Sequence, residues 1–87
     1  MTKIYIYCLF DRIDGLHGVY SSIKAAHRDA LRLCNKGNSQ VYVKVGNENH
    51  NPSVTLLRNL FKGELDVKVE YTSDKNRVQI VKTKLRE

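Results

Sequence analysis

The sequence KIYIYCLFDRIDGLHGVYSSIKAAHRDALRLCN, residues 3–35, contains the two clearest structural signals of the chain. Over Lys3–Phe10, tyrosines alternate with isoleucines and a cysteine, and this period of two is typical of a β-strand. Over Ile23–Asn35, apolar residues recur with a helical period after a serine pair that can cap a helix. The stretch therefore predicts a strand, a loop over 11–18 and an amphipathic helix.

The rest of the chain adds shorter elements on either side of a second helix. Strands are predicted over Ser39–Val45, Leu65–Thr72 and Arg77–Leu85. On the buried side, Val78 and Ile80 should meet Leu65, Val67, Val69 and Tyr71. Asn51 or Ser53 can cap the second helix, Pro52 suits its first turn, and Gly63 ends it. The element order is β-α-β-α-β-β, and amphipathic helices must cover a sheet. We therefore predict one α+β domain over residues 1–87, a two-layer sandwich in which two helices cover one face of a four-stranded mixed sheet.

The charge of the chain favours an acidic partner. Fifteen Lys and Arg residues against nine Asp and Glu residues give a net charge of +6. A basic domain of this kind suits nucleic acid, a membrane surface or an acidic protein. No apolar run is long enough to span a bilayer. Of the three kinds of acidic partner, we expect nucleic acid or an acidic protein and not a membrane.

The cysteines indicate neither a cofactor nor a metal. Cys8 and Cys34 are far apart in sequence and have no metal-ligand or redox spacing. We expect both thiols to be reduced. We expect neither a cofactor nor a metal. Because no secretory signal pattern is visible, we also expect a cytoplasmic protein.

The histidines are the main candidates for catalysis. No phosphate loop, metal spacing or serine elbow occurs in the chain. His17 and His50 both fall in predicted loops, and a pair of histidines could cleave RNA by general acid–base catalysis. Nothing in the sequence brings these two together, so we expect a protein that is not an enzyme. His27 lies at the margin of the apolar helix face, where a structural role is expected.

A row of cations follows the polar side of the first helix. Its members, spaced by four residues, are Lys24, Arg28, Arg32 and Lys36. Such a row stays on one side of a helix over about 18 Å, and Asp29 is the only acid in this helix. Like charges at this spacing destabilise a helix, which favours a compensating contact with phosphates or an acidic protein. A solvated helix face gives the same pattern.

The sheet face away from the helices is a second candidate surface. The sequence places on it Lys3, Tyr5, Tyr7, Tyr42, Lys44, Lys68, Arg77 and Gln79. Bases of single-stranded RNA or DNA can stack on tyrosines while cations hold the phosphates. Cross-strand tyrosine pairs or a homodimer interface would account for the same residues.

Two segments resemble small basic accessory and anti-defence proteins of tailed bacteriophages. These are IYIY, residues 4–7, and GVYSSIKAA, residues 18–26, which is similar to a G-V-[YF]-S-S-x-x-x-A helix start that follows a strand in those proteins. The resemblance covers about the first 45 residues. Size, charge and opening pattern are most similar to the toxin inhibitors of T-even-like phages. The resemblance implies a protein that neutralises an endoribonuclease toxin and associates with RNA.

Three hypotheses follow. The first is an RNA-binding or single-stranded nucleic-acid-binding inhibitor of a host defence nuclease or toxin, using Lys24, Arg28, Arg32 and Lys36 for phosphates and Tyr5, Tyr7, Tyr42 and Lys44 for bases or a dimer face. The second is an inhibitor that binds an acidic surface of a host enzyme without RNA. The third is a ribonuclease that uses His17 and His50.

Overall fold

The computed structural model describes residues 5–35, 39–62, 68–74 and 76–84. In chain order the elements are β1 (Tyr5–Asp11), β2 (Gly15–Tyr20), α1 (Ile23–Cys34), β3 (Tyr42–Val45), β4 (Glu48–His50), α2 (Val54–Leu60), β5 (Lys68–Thr72) and β6 (Arg77–Lys84). The domain is thus α+β with two helices, and the first helix ends one residue earlier than predicted.

All described strands belong to one six-stranded sheet, in the order β2-β1-β6-β5-β3-β4. Every neighbouring pair is antiparallel. The predicted four-stranded mixed sheet is therefore wrong. Two strands joined by a helix are parallel when they are neighbours in a sheet. Here a hairpin, β1–β2 or β3–β4, reverses the chain before each helix. Strands joined through a helix are consequently not adjacent in this sheet.

The two strands missed by the sequence prediction complete these hairpins and form the sheet edges. β4 lies within the loop predicted over 46–51, and β2 begins within the loop predicted over 11–18 and extends two residues beyond it. Gly15, with a φ of 78°, starts β2 after a three-residue turn, and Gly46, with a φ of 61°, lies in the turn before β4. Glycine adopts positive φ without a steric penalty, so both turns can be tight.

Serine side chains cap both helices. Oγ of Ser22 accepts a 3.2 Å hydrogen bond from the backbone N–H of Ala25, and Oγ of Ser53 accepts one of 3.0 Å from Leu56. Each bond satisfies a backbone donor that has no partner within its own helix. Neither described helix is long and apolar enough to cross a bilayer.

The core lies between the two helices and one face of the sheet. Its largest buried side chains are Leu9, Cys34, Val43, Leu57, Phe61, Tyr71, Val78 and Ile80. The predicted contribution of Val69 and Tyr71 on β5 is confirmed, because both are buried beside β6. Leu65 and Val67, predicted to join them, lie outside the described residues.

Candidate nucleic-acid interface

The helices leave one sheet face uncovered, which we call the open face. Tyr5 and Tyr7 do not lie on it, contrary to their predicted placement. The Tyr7 ring packs 5.5 Å from the ring of Phe61, centroid to centroid. Nζ of Lys82 lies 4.4 Å from the centre of the Tyr5 ring. Both tyrosines therefore face the helix side of the sheet, and burial there raises the pKa of Tyr7, with a smaller contribution from Tyr5.

Tyr42 and Lys44 do lie on the open face, as predicted. They alternate along β3 with Val43, which is completely buried against the helices. Cross-strand register pairs Tyr42 with Thr72, and Lys44 with Glu70. The two predicted residues are therefore exposed beside the strand that follows in the sheet.

Further cations join Lys44 on the neighbouring strands. Lys68 on β5 and Arg77 on β6 are both exposed and alternate with buried core residues. Lys44, Lys68 and the carboxylate of Glu70 line one shallow depression with Gln79. We call Tyr42, Lys44, Lys68, Glu70, Arg77 and Gln79 the basic half of the open face; its three cations and one carboxylate give it a net charge of +2.

The other half of the open face carries no charge on its described strand positions. Its apolar side chains, on β1, β2 and β6, are Ile6, Cys8, Phe10, Leu16, Val19 and Val81. Phe10 retains 37% of its surface, Leu16 55% and Val19 54%. We call this set the apolar half. Sequence reasoning missed Phe10 as a surface aromatic because the alternation of β1 shows which residues share a face, not which face the helices cover.

The row of cations on α1, which we call the helix stripe, lies on the opposite side of the molecule from the open face. Lys24, Arg28 and Arg32 are all exposed on α1, as predicted, whereas Lys36 lies outside the described residues. Asp29 is closer to the two arginines than the sequence suggested. Its Oδ1 lies 3.7 Å from Nε of Arg28 and 3.4 Å from Nη2 of Arg32. These exposed pairs reduce the charge that the stripe offers to an anion.

Asp29 also joins α1 to the sheet edge. The hydroxyl of Tyr20, at the end of β2, donates a 2.6 Å hydrogen bond to its Oδ2. That bond is the main reason that the pKa of Asp29 is lowered; burial opposes it, and Arg32, Arg28 and His17 lower the pKa further. Burial, followed by the bond to Asp29, raises the pKa of Tyr20 to about 12.

The histidines do not form the two-histidine site considered above. His17 lies on β2 and His50 on β4, at opposite edges of the sheet, which are five strand spacings or about 24 Å apart. His27 has the structural position expected for it: it is 9% exposed, and its Nδ1 lies 2.5 Å from the hydroxyl oxygen of Tyr71. Within the described ranges, no cluster of His, Cys, Asp or Glu could hold a metal ion.

The two cysteines have different surroundings. Both are free thiols; Cys34 is completely buried, and burial raises its pKa to about 11. Cys8 is half-buried in the apolar half of the open face. A thiol with a raised pKa is a poor nucleophile, which agrees with a core role for Cys34.

Comparison with known proteins gives no relative of this chain: no family model, no curated protein and no solved structure matches it. Functional inference therefore depends on the surfaces described above.

Proposed function

We propose that this chain is a non-enzymatic binding protein for single-stranded nucleic acid, RNA in the first place, and that it binds through the open face. The observation that carries the proposal is the combination of an exposed aromatic ring with cations on three adjacent strands. Tyr42 and Lys44 lie on β3, Lys68 on β5 and Arg77 on β6, all directed away from the core.

The chemistry of this face fits a single strand better than a duplex. Unpaired bases present flat rings, and each can stack on an exposed aromatic with about 1–3 kcal/mol. Tyr42 offers such a ring in the basic half of the open face. Phe10, in the apolar half, offers another, and cross-strand pairing connects it through Gln79 and Glu70 to Lys44. The cations of the basic half can hold phosphates while the bases stack.

The resemblance noted above extends the proposal to a biological role. In that role the protein acts in the host cytoplasm as a phage-encoded inhibitor of a defence nuclease or endoribonuclease toxin, with RNA bound on the open face. Lys24, Arg28 and Arg32 would then contact the toxin or further phosphates. A homodimer is also part of this proposal, and the oligomeric state of the protein in solution tests it.

Salt-dependent binding of a fluorescent single-stranded RNA, followed by anisotropy, tests the function. The test variant is Lys44→Gln/Lys68→Gln/Arg77→Gln, and the matched control is Lys24→Gln/Arg28→Gln/Arg32→Gln, with the same charge change on the opposite side. We expect the open-face variant to lose affinity about tenfold or more. If three phosphate contacts are lost, the slope of log affinity against log salt falls in magnitude by about 2.

The control decides between the two surfaces. Equal loss in both variants would show that only net charge matters, and loss confined to the control would move the interface to the helix stripe. No salt-dependent binding by the unaltered protein would overturn the nucleic-acid proposal.

A second candidate function is an RNA-independent inhibitor that binds a host enzyme. The uncharged apolar half favours it, because exposed apolar surface is typical of protein contacts rather than of phosphate contacts. Leu16→Ser/Val19→Ser should then abolish inhibition of an endoribonuclease toxin by nuclease-treated protein. The same substitutions should leave RNA binding unchanged if the first proposal holds.

A further inference from the structure

A groove between α1 and α2, on the side of the molecule opposite the open face, has the composition of a ligand site. Its walls are apolar and its rim is cationic; the lining includes Lys24, Ala25, His27, Arg28, Leu31 and Val54. Neither the RNA surface proposed above nor the core requires these residues to enclose a groove.

The one ring at this site that is nine-tenths buried has an unused polar atom. Nδ1 of His27 is engaged by Tyr71 at 2.5 Å. Nε2 has no hydrogen-bond partner in the part of the chain that the structure describes. In that part of the chain, every side-chain nitrogen or oxygen that is fully buried has a hydrogen-bond partner. Because Nε2 has none, it must be in contact with solvent, and His27 lines the groove.

Whether Nε2 donates or accepts a hydrogen bond depends on how Nδ1, the other nitrogen of the ring, interacts with the Tyr71 hydroxyl. Burial raises the pKa of Tyr71 and lowers that of His27, so both side chains are uncharged at neutral pH. When the Tyr71 hydroxyl donates to Nδ1, the ring proton of neutral His27 lies on Nε2. The groove that Lys24 and Arg28 also line then presents a hydrogen-bond donor, and an anionic oxygen would satisfy this arrangement.

We propose that the groove binds the phosphate monoester of a molecule that carries a flat ring, such as a nucleoside, with the phosphate at Lys24, Arg28 and Nε2 of His27 and the face of the ring against Leu31 and Val54. The two cations match the double negative charge of a phosphate monoester. A carboxylate carries only one negative charge and would leave one of the cations unbalanced. Arg28 is paired with Asp29 across 3.7 Å at the surface, a weak interaction that a phosphate must displace. The site does not depend on the open face.

Proton NMR titration of the full chain with a nucleoside 5′-monophosphate tests the site, with the ring signals of the histidines as the readout. We expect a saturable shift of the His27 signal and none of His50, which lies on β4 at the sheet edge. The unphosphorylated nucleoside, inorganic phosphate and benzoate, titrated in parallel, should each bind about tenfold more weakly or worse.

Two variants and one control complete the experiment. Lys24→Gln should weaken monophosphate binding about tenfold, and Ala25→Leu should abolish it by filling the groove, with the fold of each checked by circular dichroism. Arg32→Gln removes a cation from the same helix that does not line the groove, and it should bind like the unaltered protein.

Three results would overturn the proposal. These are no saturable His27 shift at millimolar monophosphate, equal binding of inorganic phosphate alone, and equal weakening by Arg32→Gln and Lys24→Gln. Because RNA binding is measured separately on open-face variants, failure of the groove and failure of the nucleic-acid proposal give different results.

Discussion

Nζ of Lys82 donates a 2.6 Å hydrogen bond to the carbonyl oxygen of Phe61, the residue that caps the C-terminal end of α2. The lysine is 7% exposed, and its ammonium also lies over the Tyr5 ring. A cation at the C-terminal end of a helix bonds to a carbonyl that has no partner within the helix. Lys82 therefore fastens α2 to the sheet, on the face that the helices cover.

The first prediction concerns this contact. Lys82→Ala should lower the free energy of unfolding by about 2 kcal/mol, since it removes a charge-assisted hydrogen bond and leaves the Phe61 carbonyl buried without a partner. Urea denaturation measures the change. The control is Lys84→Ala, on the same strand but exposed, for which a change within about 0.5 kcal/mol is expected. Equal effects of both substitutions would show that the Phe61 contact contributes nothing.

The second prediction concerns the bond between Tyr20 and Asp29. Tyr20→Phe should destabilise the protein by about 1 kcal/mol at neutral pH, and the pKa of Asp29 should rise toward its ordinary value. Because the folded pKa of Asp29 is lowered, its stabilising effect is present above its ordinary value of 3.8 and is lost as the pH falls through the folded pKa. The difference between variant and unaltered protein should therefore shrink in acid.

Carboxylate NMR titration and urea denaturation measure these effects. Tyr42→Phe is the matched control, since the Tyr42 hydroxyl has no hydrogen bond in the described part of the chain. A Tyr20→Phe variant with an unchanged Asp29 pKa would contradict the role assigned to the bond.

The third prediction concerns Gly18, which lies under the Tyr20 ring. A Cβ built at Gly18 would be 3.0 Å from the Tyr20 hydroxyl oxygen and 3.2 Å from two ring carbons. Gly18→Ala should therefore displace the ring, weaken its bond to Asp29 and cost about 1 kcal/mol. In a Tyr20→Ala background the same substitution should cost almost nothing. A double-mutant cycle by urea denaturation measures this coupling, and additive costs would contradict it.

The sequence predicted the parts of this fold that depend on local chemistry. Ser22 and Ser53, each one of two cap candidates in the sequence, start the helices, and the pairing of Val69 and Tyr71 with β6 follows from alternation. The edge strand β2 was not predicted in full, since GLHGVY contains two glycines and no clear alternation. Its pairing with β1 depends on the turn at Gly15 and on the tertiary structure.

The candidate site was predicted less well, for a related reason. Both faces of β1 are rich in apolar or aromatic side chains, so its alternation alone could not show which face the helices cover. Contacts distant in sequence decide it: Phe61 packs on Tyr7, and Lys82 is buried beside Tyr5. Tyr42 and Lys44 were placed correctly, because Val41, Val43 and Val45 mark the covered side of β3 unambiguously.

The last prediction concerns the pH dependence of stability near neutrality. Burial lowers the pKa of His27 below its ordinary value of 6.5, so the folded state binds the ring proton more weakly than the unfolded state. Stability from neutral His27 is complete above the unfolded pKa and decreases as the pH falls below it, toward the folded pKa. The slope should reach at most about 1.4 kcal/mol per pH unit, the value for one proton.

Urea denaturation over this pH window, compared with the His27→Gln variant, isolates the contribution. The variant should be less stable at neutral pH, because Tyr71 loses its ring partner, but its stability should change less on acidification. His50→Gln is the control for removing a histidine outside the core: the His50 side chain is 41% exposed, so that variant should keep the loss of stability that His27 causes on acidification. An unchanged slope in His27→Gln would mean that His27 is protonated equally in the folded and unfolded states, and that its ring is not held neutral by burial against Tyr71.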